Sequence, residues 1–99
     1  MPTVIAPVAA AQIDTLVAFL NARAAAKGAY TFSAQAGRRF TRLVRAERNG
    51  SLSAYGFVDV TTGALHKSAS WKAPAKNFAR GSIHAAPEAI PCLGEYAIG

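Results

Sequence analysis

The pair Asn49-Gly50 constrains this chain more than any other feature. Asn-Gly is the preferred pair for a two-residue type I′ hairpin turn, because both central residues must adopt positive φ. The pair predicts antiparallel strands over residues 38–48 and 51–60. Phe40, Leu43 and Val44 also fit a helical stripe; the turn decides for strand. Thr61-Thr62-Gly63 gives a second turn, with glycine where a three-residue loop needs positive φ. Ala64 to about Trp71 follows as a third strand.

The register follows from the turns. Val44 opposes Tyr55, Arg42 opposes Phe57 and Phe40 opposes Asp59 on the first hairpin. Asp59 opposes Leu65 and Phe57 opposes Lys67 on the second. One face then carries Phe40, Val44, Ala46, Tyr55, Phe57, Leu65, Ala69 and Trp71, and this is the face expected to meet a helix. The other carries Thr41, Leu43, Arg45, Leu52, Ala54, Gly56, Val58, His66 and Ser68. It is half apolar, as a face covered by the C-terminal tail or by a second subunit would be. A one-residue slip exchanges the two faces.

The covering helix is expected over residues 7–27. Pro7 suits a first turn. Ile13, Leu16, Val17, Leu20 and Ala24 form one apolar stripe. Gln12, Asp14, Asn21 and Arg23 are left for water, and Gly28 is the stop. Residues 29–37 read as a linker with a short extended piece at Tyr30-Thr31-Phe32. After Lys72 the pattern dissolves among Pro74, Gly81, Pro87 and Pro91, with one helical turn at Pro87 to Ile90. Leu93, Tyr96 and Ile98 are available to pack.

The whole is a single domain of 99 residues. Its fold class is α+β: an N-terminal helix (7–27) on a three- to four-stranded antiparallel meander (38–71), then an irregular tail (72–99). Alanine inflates the 52% hydrophobic content, so the core is small. A homo-oligomer is the expected remedy. The apolar start lacks a basic n-region and is broken by Pro7, which argues against a signal peptide. No stretch approaches the ~20 apolar residues of a membrane span, so no membrane partner is expected.

Charge points to the ligand. Eleven Lys and Arg against five Asp and Glu give +6, and such an excess attracts anions. Arg38, Arg39, Arg42, Arg45 and Arg48 form a phosphate-seeking series. On a strand they split, with Arg38, Arg42 and Arg48 on one face and Arg39 and Arg45 on the other; the bland alternative is an edge strand protected by charge. Lys67, Lys72, Lys76 and Arg80 surround the single tryptophan, Trp71. Cations hold phosphates and an indole stacks a base. The bland alternative is a core tryptophan among solvated lysines. Arg42 and Lys67 also lie near Asp59 on the expected face, where a surface ion pair would form.

Catalytic chemistry finds little support. His66 and His84 have no third ligand at metal spacing, and Cys92 is alone. There is no glycine-rich phosphate loop and no nucleophile elbow. No enzyme activity, no metal and no cofactor are expected.

Phe57-Val58-Asp59, Thr62-Gly63, Lys67 and the run Ala69-Ser70-Trp71-Lys72-Ala73-Pro74-Ala75-Lys76, with Ala79-Arg80-Gly81, resemble a pattern found in small proteins of tailed bacteriophages. The resemblance covers residues 38–83 and carries no assigned activity. It implies a phage origin and action in the host bacterial cytoplasm.

The leading expectation is a non-enzymatic protein that binds a small anionic nucleotide, sequestering a host defence signal such as a cyclic nucleotide. Its binding residues are Lys67, Trp71, Lys72, Lys76, Arg80 and Arg42. The alternatives are a single-stranded DNA- or RNA-binding accessory protein and a virion or host-protein interaction module. Sequestration wants an enclosed pocket; strand binding wants an open groove.

Overall fold

The computed structural model describes residues 8–26, 28, 30–75, 79–94, 97 and 98. Pro7 and Lys27, the expected ends of the helix, together with Lys76 and Tyr96, lie outside the described residues. One N-terminal helix, α1 (Ala10–Ala25), packs on a five-stranded antiparallel sheet. The strands are β1 (Tyr30–Gln35), β2 (Phe40–Glu47), β3 (Leu52–Asp59), β4 (Ala64–His66) and β5 (Gly81–Ser82), in spatial order β1-β2-β3-β4-β5. Among the described residues no helix is long and apolar enough to cross a membrane.

The helix forms where its stripe requires. Leu16, Leu20 and Ala24, four residues apart, are buried, and Ile13 and Val17 pack partly beside them. The Gln12 side chain accepts the Ala9 N–H at 2.9 Å, occupying a donor that the first turn leaves orphaned. At the other end Gly28, at φ 65°, donates to the Ala24 carbonyl. Two side chains expected in water are instead tied down. Asn21 pairs with β1, and Arg23 donates to the Leu93 and Gly94 carbonyls of the tail.

β1 is an addition to the expected meander. Only Phe32 of its six residues is buried, so its alternation is faint. It nonetheless pairs with β2 along its full length, Tyr30 with Glu47 through Gln35 with Arg42. The segment read as a linker is an edge strand.

The first hairpin closes differently from the Asn-Gly expectation. Asn49 does not adopt positive φ; among the described residues only Gly28, Gly50 and Gly63 do. Gly50 donates to the Glu47 carbonyl and Glu47 donates to the Ser51 carbonyl. This is a three-residue loop, a type I turn followed by a left-handed glycine. Near the turn the register is therefore shifted by one, with Ala46 opposite Leu52 and Val44 opposite Ala54. A bulge then inserts Tyr55 as an extra residue, and the expected pairs Arg42–Phe57 and Phe40–Asp59 reappear beyond it. The second loop is also one residue longer than expected. Phe57 pairs with His66 and Val58 with Leu65, while Gly63 (φ 83°) donates to the Asp59 carbonyl.

These shifts mix the expected faces. Tyr55 and Leu65 meet the helix and tail as expected, but Leu43 and Val58, expected on the other face, join them, together with Phe32 of β1. Ile83, Ile90, Leu93 and Ile98 of the tail complete that core, so the tail does cover the half-apolar face, with the helix beside it. Val44 and Phe57 are buried but stand outside this cluster. The bulge separates Tyr55 from Phe57, which an unbroken strand would place on one face.

The expected third strand stops early. β4 ends at His66, and residues 67–75 fold into a tight loop. Ala75 donates to the Lys67 carbonyl at 2.7 Å, Ala69 to that of Ala73 at 3.0 Å, and Ser68 bridges Pro74. The Ser68 hydroxyl donates to the Ala54 carbonyl of β3, and Pro74 is buried. This loop lies on the sheet face opposite the helix. Beyond it an unexpected strand, β5, extends the sheet, and the helical turn expected at Pro87 is a short 3-10 helix over Pro87–Ala89.

Candidate functional site

Where the 67–75 loop meets the connection between β1 and β2, a groove of about 340 Å³ opens to solvent. Its cationic walls are Arg38, Arg39, Arg42 and Lys72; Gln35, Phe40, Phe57 and Pro74 complete them. Three different stretches of chain supply these charges. Arg38 and Arg39 lie on the connection, Arg42 on β2 and Lys72 at the loop tip.

Arg42 is the most constrained of the four. Its guanidinium forks onto the Gln35 side-chain oxygen, through Nε at 3.0 Å and through Nη2. Nη1 donates to the Trp71 carbonyl at 3.1 Å. The guanidinium carbon lies 4.1 Å from the centre of the Trp71 ring, a cation–π stack. A guanidinium carries five N–H donors. Three are engaged among the described residues.

Arg39 is held by Asp59, with Nη2 3.2 Å and Nε 3.3 Å from the same carboxylate oxygen. The expected Asp59 partners, Arg42 and Lys67, do not take this place. Asp59 is buried and its other oxygen accepts from the Thr61 amide (3.0 Å) and hydroxyl (2.6 Å). Burial favours the neutral acid, but the Thr61 and Arg39 hydrogen bonds outweigh it and hold the carboxyl below its ordinary value. Arg39 remains well exposed and stacks over Phe40. Among the described residues Arg38 and Lys72 meet no carboxylate.

His66 lies beneath this site. It is buried, stands edge-on to Phe40 with ring centres 5.8 Å apart, and faces the Ala75 carbonyl across 3.3 Å. It ties β4 to the base of the loop.

Of the six residues expected to bind, the structure brings three together: Arg42, Trp71 and Lys72. Trp71 is 37% exposed, which sets aside the reading of a core tryptophan. Lys67 is exposed at the start of the loop and does not line the groove. Arg80 does not line it either; its charge acts on Cys92, whose side chain packs against the main core. Lys76 lies outside the described residues.

Sequence reasoning missed Gln35 and divided the arginines wrongly. Arg38 and Arg39 precede β2, so strand alternation does not separate them, and both reach the groove. Arg45 and Arg48 serve the fold instead. Arg45 stacks over Tyr30, and Arg48 donates to the Gly28 carbonyl at the helix exit. A start of the strand two residues later would have grouped Arg38 with Arg39; no signal in the sequence marks Gln35.

A model for a family of unknown function (DUF7717) matches residues 6–95 of the chain. No curated protein and no solved structure matches it.

Proposed function

We propose, from the premise that the chain belongs to this family of unknown function, that the groove itself defines the activity: non-enzymatic binding of the phosphates of a nucleotide ligand. The observation that carries this reading is the convergence of Arg38, Arg39, Arg42 and Lys72 on one open groove, where among the described residues only Arg39 is paired with a carboxylate, that of Asp59. Arginine guanidinium groups suit phosphate oxygens, and Gln35 and the Trp71 carbonyl hold that of Arg42 in place at the groove. Trp71 beside the groove offers a surface for a base.

The resemblance of residues 38–83 to small proteins of tailed phages supports a setting in the cytoplasm of an infected bacterium. A groove of this volume is of the size that small-molecule sites take, which favours a free nucleotide, such as a cyclic nucleotide signal, as the second reading of the same site.

The test is a titration of the purified protein with nucleotides and oligonucleotides at low and high salt, read by the fluorescence of its single tryptophan. Binding that weakens as salt rises, and that Arg38→Ala and Lys72→Ala each reduce, is the expected result. Failure of every phosphate-bearing ligand to bind at micromolar concentration removes the proposal.

A further inference from the structure

The stack of Trp71 on Arg42 goes further and narrows the ligand. One face of the indole is occupied by the guanidinium at 4.1 Å. Trp71 nonetheless remains 37% exposed, so the stack leaves the residue open to solvent. The loop that carries it is braced by the Ala75–Lys67 and Ala69–Ala73 hydrogen bonds, so the ring is presented on a fixed support. An exposed indole backed by a guanidinium is a platform for a flat, unpaired ring.

Resting on the phosphate-groove reading, we propose that the ligand is a single-stranded nucleic acid. One base stacks on the outer face of Trp71, and the adjoining backbone phosphates run along Arg38, Arg39, Arg42 and Lys72. Three observations favour a strand over a free nucleotide. Among the described residues the groove is open to solvent, and its four cations come from three separate stretches of chain, an arrangement that suits successive phosphates of a strand. The base platform also stands beside the groove, as continuous backbone would require. Duplex is excluded by chemistry, since its bases are already stacked on one another and cannot reach Trp71. Recognition is tolerant of sequence. Gln35 is the amide of the groove, and its oxygen is committed to Arg42, which leaves little to read base edges.

The experiment uses a short oligothymidylate, the same strand annealed to oligoadenylate, and thymidine monophosphate, each titrated against the whole protein. The single strand is expected to bind tightest and to quench Trp71. Four phosphate contacts predict a slope of about −3 in log K against log salt, at ~0.7 per phosphate. Trp71→Ala should weaken the single strand about tenfold or more while leaving the salt slope in place, and Trp71→Tyr should restore part of the loss. Circular dichroism of both variants establishes that they are folded. Monophosphate binding as tight as the strand, a preference for duplex, or a neutral Trp71→Ala overturns the strand inference and leaves the phosphate groove standing. Loss of binding to all three ligands overturns both.

Discussion

Asn21 and Phe32 exchange two hydrogen bonds across the edge of the sheet. The Asn21 amide nitrogen donates to the Phe32 carbonyl at 3.0 Å, and the Phe32 N–H donates to the Asn21 oxygen at 2.7 Å. A side chain of α1 thus does what a sixth strand would do for β1. Open edges template association with other chains, and covering one with a helix is a common protection. Asn21→Leu is expected to destabilise the protein by about 1–3 kcal/mol, because both backbone groups of Phe32 lose their partner. Urea denaturation measures the loss, and light scattering should show increased self-association of the variant. An unchanged midpoint would mean that water replaces the amide without cost.

Asp59 makes stability depend on pH in a known direction. Its carboxyl is held below the ordinary value in the folded protein, by the Thr61 and Arg39 hydrogen bonds acting against burial. The folded state therefore releases this proton more readily than the unfolded chain. Its stabilisation is complete above the unfolded value of about 4 and is lost as pH falls through the folded value. The gap in thermal midpoint between the natural protein and Asp59→Asn should be constant near neutrality and close on acidification below about pH 4. A gap that does not change with pH would show that the charge is irrelevant.

Gln35→Leu tests how much the orientation of Arg42 matters. The substitution removes the acceptor of two guanidinium N–H groups without touching a cation. Oligonucleotide affinity is expected to fall about three- to tenfold, the scale of losing hydrogen bonds to a charged group near solvent. The salt slope should be preserved, since no phosphate contact is deleted. A changed slope would indicate that Gln35 acts through charge placement and not through geometry.

Gly56→Ala tests the seat of the tail. A methyl group at Gly56 would fall 2.8 Å from Ile98 Cγ1 and 3.1 Å from the His66 carbonyl oxygen. Ile98 is fully buried, so it has little room to withdraw. A loss of about 1–3 kcal/mol by overpacking is expected. Ile98→Ala in the same background should recover part of it, and chemical denaturation of the four proteins in the cycle measures the coupling.

Much of the architecture can be read from residues alone, and its errors have a physical cause. The helix stripe at Leu16, Leu20 and Ala24, the two hairpins and the pairing of Arg42 with Phe57 all follow from periodicity and turn residues. The faces do not, because the bulge at Tyr55 depends on a loop of three residues where Asn-Gly alone suggests two. Phe40, Val44 and Phe57 are large and apolar in the manner of core residues. Val44 and Phe57 are indeed buried, on the face that the 67–75 loop occupies. β1 is legible only as the short extended piece at Tyr30-Thr31-Phe32, because Phe32 alone of its six residues is buried and its alternation is faint. In the site, Trp71 and Lys72 were legible as a cationic run. Their meeting with Arg38 and Arg39 depends on where β2 begins, which alternation does not fix to within two residues.

The extra residue at Tyr55 also sets the order in which the chain can finish folding. The bulge turns the Tyr55 carbonyl out of the ladder with β2, and the Ile98 N–H takes it at 2.8 Å. Arg23 and the Tyr55 hydroxyl meet at the Gly94 carbonyl nearby. During synthesis the helix and the first hairpin leave the ribosome long before these partners exist. Until residues 93–98 emerge, Arg23 lacks the Leu93 and Gly94 carbonyls and the core lacks Ile98. Domain completion is therefore a late event, governed by long-range closure and slower than formation of the helix or hairpins themselves.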